Sequence, residues 1–103
     1  MSQIVICGAI KSKNLVRFYY GGDQVPGFRT VEPHMIAYNR KENLALSAWY
    51  LSGASESATG EGWREYLLAE MTSVTVLPTQ FSGPRPGYKP DGGKTFHSVQ
   101  CAL

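Results

Sequence analysis

From Leu15 onward the apolar residues of this chain recur at every second position, and each such stretch is soon cut short by glycine, proline or a polar cluster. A period of two places successive side chains on opposite faces of a strand. A chain patterned in this way folds into short strands joined by turns, and one face of the resulting sheet must be buried. Val16, Phe18 and Tyr20 share one face of the first strand, while Leu15, Arg17 and Tyr19 share the other. Gly21-Gly22-Asp23 and Pro26-Gly27 end it. Phe28 to Asn39 resumes as a long extended run, in which Pro33 cannot donate to a ladder and so marks a bend or an edge. Asn39 to Asn43 is a polar turn, Leu44 to Leu51 a third strand, and Ser52 to Gly62 a loop. Trp63 to Ala69 forms a fourth strand, Glu70 to Ser73 a single helical turn and Val74 to Leu77 a closing strand.

Ahead of these strands, Ile4, Val5, Ala9 and Ile10 fall near helical spacing, with Ser2 placed to cap and Lys11 and Lys13 at the negative end of the dipole. Gly8 weakens that helix by about 1 kcal/mol relative to alanine, and close packing on a strand would account for a small residue there. After Thr79 the composition shifts. Residues 81–93 are too rich in proline and glycine for regular structure, yet Phe81 and Tyr88 argue for an arm that packs on something. Lys94 to Leu103 regains apolar character and can add a strand. The reading is one domain over residues 1–78 and an extended C-terminal arm over 79–103, packed on the domain or on a second subunit. The fold class is mainly β: an N-terminal helix with five short strands, for which closure into a small barrel removes exposed edges. Val16, Phe18, Leu46, Leu68 and Val76 are the expected core.

Among the chain's 103 residues, ten Lys and Arg against eight Asp and Glu give a net charge of +2, short of the basic stripe that phosphate-driven binding requires. Cys7 and Cys101 lie at opposite ends with no ligand spacing, so the expectation is two buried, reduced thiols and no zinc site. With no leader-like N-terminus and no apolar run of membrane-spanning length, a cytoplasmic protein without membrane contact is expected.

Trp49-Tyr50-Leu51, following Arg29-Thr30-Val31-Glu32-Pro33 at this distance, resembles the WYL domain, a bacterial sensor module named for that tripeptide. The likeness spans roughly residues 3 to 78. It takes in Ala9-Ile10-Lys11, the strand Val16-Arg17-Phe18-Tyr19-Tyr20 and the aromatic-Arg strand Trp63 to Leu68. It implies an Sm-like barrel and a regulatory, ligand-sensing role that ordinarily accompanies a DNA-binding segment. Where the family commonly carries two arginines, this chain has Leu67 and Glu70, and Glu70 would repel a phosphate.

Arg29, His34, Tyr50 and Arg64 match or adjoin the family's polar ligand-facing positions. Arginine offers a rigid fork of donors, tyrosine a ring with a hydroxyl, and histidine a donor or acceptor near neutral pH. Such a set suits a small anionic ligand, a nucleotide or single-stranded nucleic acid, where aromatic faces stack bases and guanidinium groups hold phosphates. The bland reading pairs Arg29 and Arg64 with Glu32 or Glu65 and makes His34 a satisfied polar residue. Because Trp49 and Tyr50 face opposite sides of their strand, Trp49 is read as structural and Tyr50 as the site candidate. No hydrolase motif, P-loop or paired carboxylates occur, so no catalytic residue, cofactor or metal is expected and the chain is read as a non-enzyme. The alternative function is a protein-interaction or oligomerisation module, with a homodimer or a regulator protein as partner and no ligand.

Overall fold

The computed structural model describes residues 2–55 and 60–103; residues 56–59 of the long loop lie outside them. The order is α1 (Ser2–Ser12), β1 (Asn14–Tyr20), β2 (Gly27–Asn39), β3 (Leu44–Gly53), β4 (Gly62–Leu67), a 3-10 turn (Leu68–Glu70), β5 (Met71–Gln80) and β6 (Phe96–Ala102). The chain is mainly β with one N-terminal helix. The expected helical turn falls two residues earlier than the sequence suggested, and the tail does supply a sixth strand.

All strands join one antiparallel sheet in the order β4-β3-β2-β1-β5. The sheet bends sharply, as Phe18 on β1 and Tyr66 on β4 show: their ring centroids are 5.0 Å apart, although three strand spacings would separate them by about 14 Å in a flat sheet. It nevertheless stays open, since β4 and β5, the two ends of the path, do not pair with each other. The closed barrel expected from the sequence is therefore an incompletely closed one.

The long strand β2 divides its outer edge between two partners. Gly27 to Val31 pair with β1, whereas Met35 to Asn39 pair with β6. Pro33, with no N–H to give, sits at the changeover, next to an irregularity in the pairing with β3. At the end of β2, the Asn39 side-chain oxygen accepts the N–H groups of Lys41 and Asn43 at 3.0 Å each, which fixes the polar turn. Gly53, at φ 113°, closes the far end of β3; a Cβ there would run into the Phe28 carbonyl.

Val16, Phe18 and Leu46 are fully buried, each contributing about 1.5–3 kcal/mol. Leu68 is half-buried against them. Val76, expected beside them, is 40% exposed. The register sets Val76 opposite Val16, but the pairing turns irregular directly beyond them, before Asn14–Gln80; a second bulge lies between Arg17–Thr75 and Tyr19–Thr72, where β5 carries an extra residue and Ser73 adopts a left-handed φ of 52°. The less exposed residues of β5 are Met71, Val74 and Leu77. A smaller shift affects α1, which buries Ile6, Ala9 and Ile10 while Ile4 and Val5 face outward. Gly8 is exposed with open space around it, so close packing is not its reason.

Cys7 and Cys101 are bonded to each other across 94 residues of sequence. This overturns the expectation of two separate thiols. Sequence distance hid it: α1 and β6 both pack on β2, which brings the two Cα atoms to 5.8 Å, inside the range a disulfide spans. No helix among the described residues is long and apolar enough to cross a membrane.

Candidate functional site

The four residues singled out in the sequence do not converge. Arg29 is 1% exposed and serves the turn between β1 and β2. Its Nη2 meets Asp23 at 2.8 and 3.0 Å and the Val25 carbonyl at 2.7 Å, while Nη1 reaches the carbonyls of Tyr20 and Gly27 at 3.2 Å. Both terminal nitrogens are thus used inside the protein, and the partner is Asp23 rather than Glu32 or Glu65. Tyr50 is also buried, its hydroxyl donating to the Gly53 carbonyl. Trp49 is the more exposed of the pair, reversing the assignment made from the sequence. Below Arg29, burial pushes the Tyr66 phenol up to about 12, against the lowering effect of Arg29 and Arg64.

His34 has no exposed surface. Its Nδ1 lies 2.9 Å from the Glu32 carbonyl, and its Nε2 accepts the Arg85 N–H at 3.1 Å. Two such partners select the neutral ring with the proton on Nδ1. Phe81 stacks on it at 5.5 Å, and Trp63 and Tyr88 close its other sides. Desolvation outweighs the Glu32 interactions and holds its pKa below the ordinary value. The folded protein therefore resists protonation that the unfolded chain accepts below about pH 6.5, so the stability this site contributes is present above that pH and is lost as pH falls through the lowered value. Thermal melting of wild type should drop with acidification in that window, and His34→Gln should flatten the drop. Parallel curves for the two proteins would remove the assignment.

Above His34 runs the arm. Arg85 grips the nearly buried Glu32 with a bidentate pair at 2.7 and 2.8 Å, and its guanidinium lies 5.0 Å over the Trp49 ring. The hydrogen bond to Glu32 holds the Arg85 pKa above its ordinary value. Trp63 donates to the Pro86 carbonyl at 2.8 Å, and its ring stacks with Tyr88. The arm then turns at Gly92 and Gly93, both at left-handed φ, where a Cβ on Gly92 would strike the Phe96 backbone.

Between this loop and β4 lies a groove of about 670 Å³, within the usual range for a ligand site. Met35, Trp63, Tyr88 and Phe96 give it apolar and aromatic walls, and Arg64, Lys89 and Lys94 line it with charge. A second hollow of about 490 Å³ shares Glu65 and Thr95 with it and carries it on past Leu67 to Arg40 and Lys41. Arg64 is the one sequence candidate here. It donates to the carbonyls of Trp63 at 2.9 Å and Gly60 at 3.1 Å, and lies 5.2 Å over the Tyr50 ring. The ion pairs among the described residues are Arg29–Asp23, Arg85–Glu32 and His97–Glu42, so none of them engages the five cations of this trough. Its two carboxylates each accept a hydrogen bond, Glu65 from Asn39 and Asp91 from the Gly93 N–H. No cluster of metal-ligating side chains occurs among the described residues.

Lys89, Lys94 and Tyr88 were not read as site residues, because the pattern that implied a packed arm carries no period to say which part of the sheet it packs against; the one usable signal was that a free linker has no need of Phe81 and Tyr88. Comparisons of the chain with protein-family models, with curated proteins and with solved structures return no match.

Proposed function

We propose that this chain is a ligand-sensing module of WYL type, and that the trough between β4 and the arm takes a small anionic ligand, a nucleotide or a single-stranded nucleic acid. The observation that carries this is the union of aromatic walls with five cations, none ion-paired among the described residues. Aromatic faces receive a ring or base, and cations hold the negative group. Arg64 is the residue common to the sequence pattern and the trough. A protein-interaction module without a ligand is the second reading, favoured by the arm already covering His34 and Trp49.

Titration of a nucleotide panel and of short labelled oligonucleotides separates the two. Charge-assisted contacts are worth ~1.5–3 kcal/mol, so Arg64→Ala should weaken binding roughly ten- to a hundredfold with the fold intact. Oligonucleotide affinity should fall with salt by about 0.7 log units per phosphate neutralised per log unit of salt. Absence of saturable binding to every probe would leave the interaction reading ahead.

A further inference from the structure

Strand register sets the floor of the trough. Met35 on β2 pairs with Ser47 on β3, and Ser47 pairs with Glu65 on β4, so the three side chains stand in a row on one face of the sheet. All three line the larger hollow. Trp63, two residues before Glu65, shares that face, and its ring stacks with Tyr88 of the arm at 6.2 Å. The other face carries Ile36, Leu46 and Tyr66, which belong to the core. The floor therefore runs from apolar Met35 to polar Ser47 and Glu65, with aromatic rings beside it.

A carboxylate on this floor repels the anion that the surrounding cations attract, so its presence selects what the ligand must bring. Glu65 lines both hollows and so lies where they meet. It is held there by hydrogen bonds that begin in the backbone. The Asn39 side-chain oxygen accepts the N–H groups of Lys41 and Asn43 at 3.0 Å each, which turns the Asn39 amide nitrogen toward Glu65 Oε2 at 2.7 Å. A carboxylate has about four acceptor positions, and Asn39 fills one. The others suit N–H donors on a ligand whose negative charge sits elsewhere.

We infer that the ligand is a guanine nucleotide, free or within a single strand, with its base at Glu65 and its phosphate on the cations. This rests on the reading of the trough as an anion-binding site and names the ligand. Guanine presents two adjacent donors on one edge, N1–H and the 2-amino group, and two parallel N–H bonds match the two oxygens of a carboxylate. Adenine and cytosine set a single amino group beside a ring nitrogen whose lone pair the carboxylate repels. Uracil has one N–H between two carbonyls. Trp63, Tyr88 and Phe96 supply faces for the ring. The phosphate is directed away from Glu65 toward Arg64, Lys89 and Lys94, and a neighbouring phosphate of a strand toward Arg40 and Lys41.

The test titrates the full chain with GMP, IMP, AMP, CMP, UMP and N1-methyl-GMP. GMP is expected to bind about ten- to a hundredfold more tightly than IMP, which lacks the 2-amino group, or N1-methyl-GMP, which lacks the ring donor. Glu65→Gln should bring GMP down to the level of IMP, whereas Arg64→Ala should weaken every nucleotide by a similar factor. The analogue series answers the question even if the Glu65 variant does not fold. Thymidine octamers with and without one central guanine separate a strand from a free nucleotide, and the guanine octamer is expected to bind more tightly. Equal affinity for all bases, lost in Arg64→Ala, would overturn this inference and leave the anion-binding reading in place. A guanine preference that survives Glu65→Gln would also overturn it. Absence of saturable binding to any of these probes would overturn it together with the anion-binding reading.

Discussion

Reduction of the Cys7–Cys101 bond, or its replacement by two serines, is expected to lower stability by about 4–5 kcal/mol, because the bond closes a loop of 94 residues and constraint of the unfolded chain grows with loop length. For a domain of this size that corresponds to a fall in Tm on the order of 20 °C. The bond ties α1 to β6, and β6 is the strand that anchors the far end of the arm. Its loss should therefore loosen the second wall of the trough as well, raising hydrogen exchange from Lys89 to Phe96 before the rest of the sheet unfolds. Melting with and without reductant measures the first effect. Equal Tm values in the two conditions would dismiss it. The bond also bears on where the protein works, since stable disulfides belong to oxidising surroundings, in contrast with the reduced, cytoplasmic setting expected from the sequence. Alkylating the protein directly in cells and counting blocked thiols by mass distinguishes the two.

Substitution of Arg29 is expected to be the most damaging single change to a charged residue. Arg29→Met keeps much of the buried stem but leaves Asp23 without its partner and strips donors from the carbonyls of Tyr20, Val25 and Gly27. Removing one member of a buried pair costs about 3–5 kcal/mol; Asp23, 25% exposed, places this case near the lower end. Arg29→Lys restores the charge without the fork and should recover only part of the loss. Urea unfolding of the three proteins gives the comparison. A loss below about 1 kcal/mol for Arg29→Met would show that the turn does not depend on this side chain. Where the variant folds, ligand affinity should stay near that of wild type, in contrast to Arg64→Ala.

The elements were legible wherever a strand obeys strict alternation. β1 buries Val16, Phe18 and Tyr20 as its pattern dictates. β5 does not, because its pairing with β1 is irregular on both sides of the Val16–Val76 pair, at Ser73 with positive φ and again before Gln80, and Val74 and Leu77 are less exposed than Val76. A single-residue insertion of this kind leaves no trace in hydrophobicity. The site was harder still. An arginine that holds a turn and one that meets a ligand have the same chemistry, and the difference lies in Asp23, which folding alone brings within reach. His34 likewise looked available until the arm was in place, since its covering groups, Phe81, Arg85 and Tyr88, come from more than forty residues away. The trough needs β4 and the Lys89–Phe96 loop together, and no local pattern announces a cavity built from two distant segments.

Joined at Cys7 and Cys101, residues 7–101 form a covalent ring. A protease that cuts once inside that ring does not release a fragment; it converts a ring into two chains still linked at one point. Such a molecule keeps its mass on a non-reducing gel apart from one added water and separates into pieces only when reduced. A cut within the ring therefore leaves β4, the arm and the trough between them in a single molecule, and cleavage and dissociation become separate events.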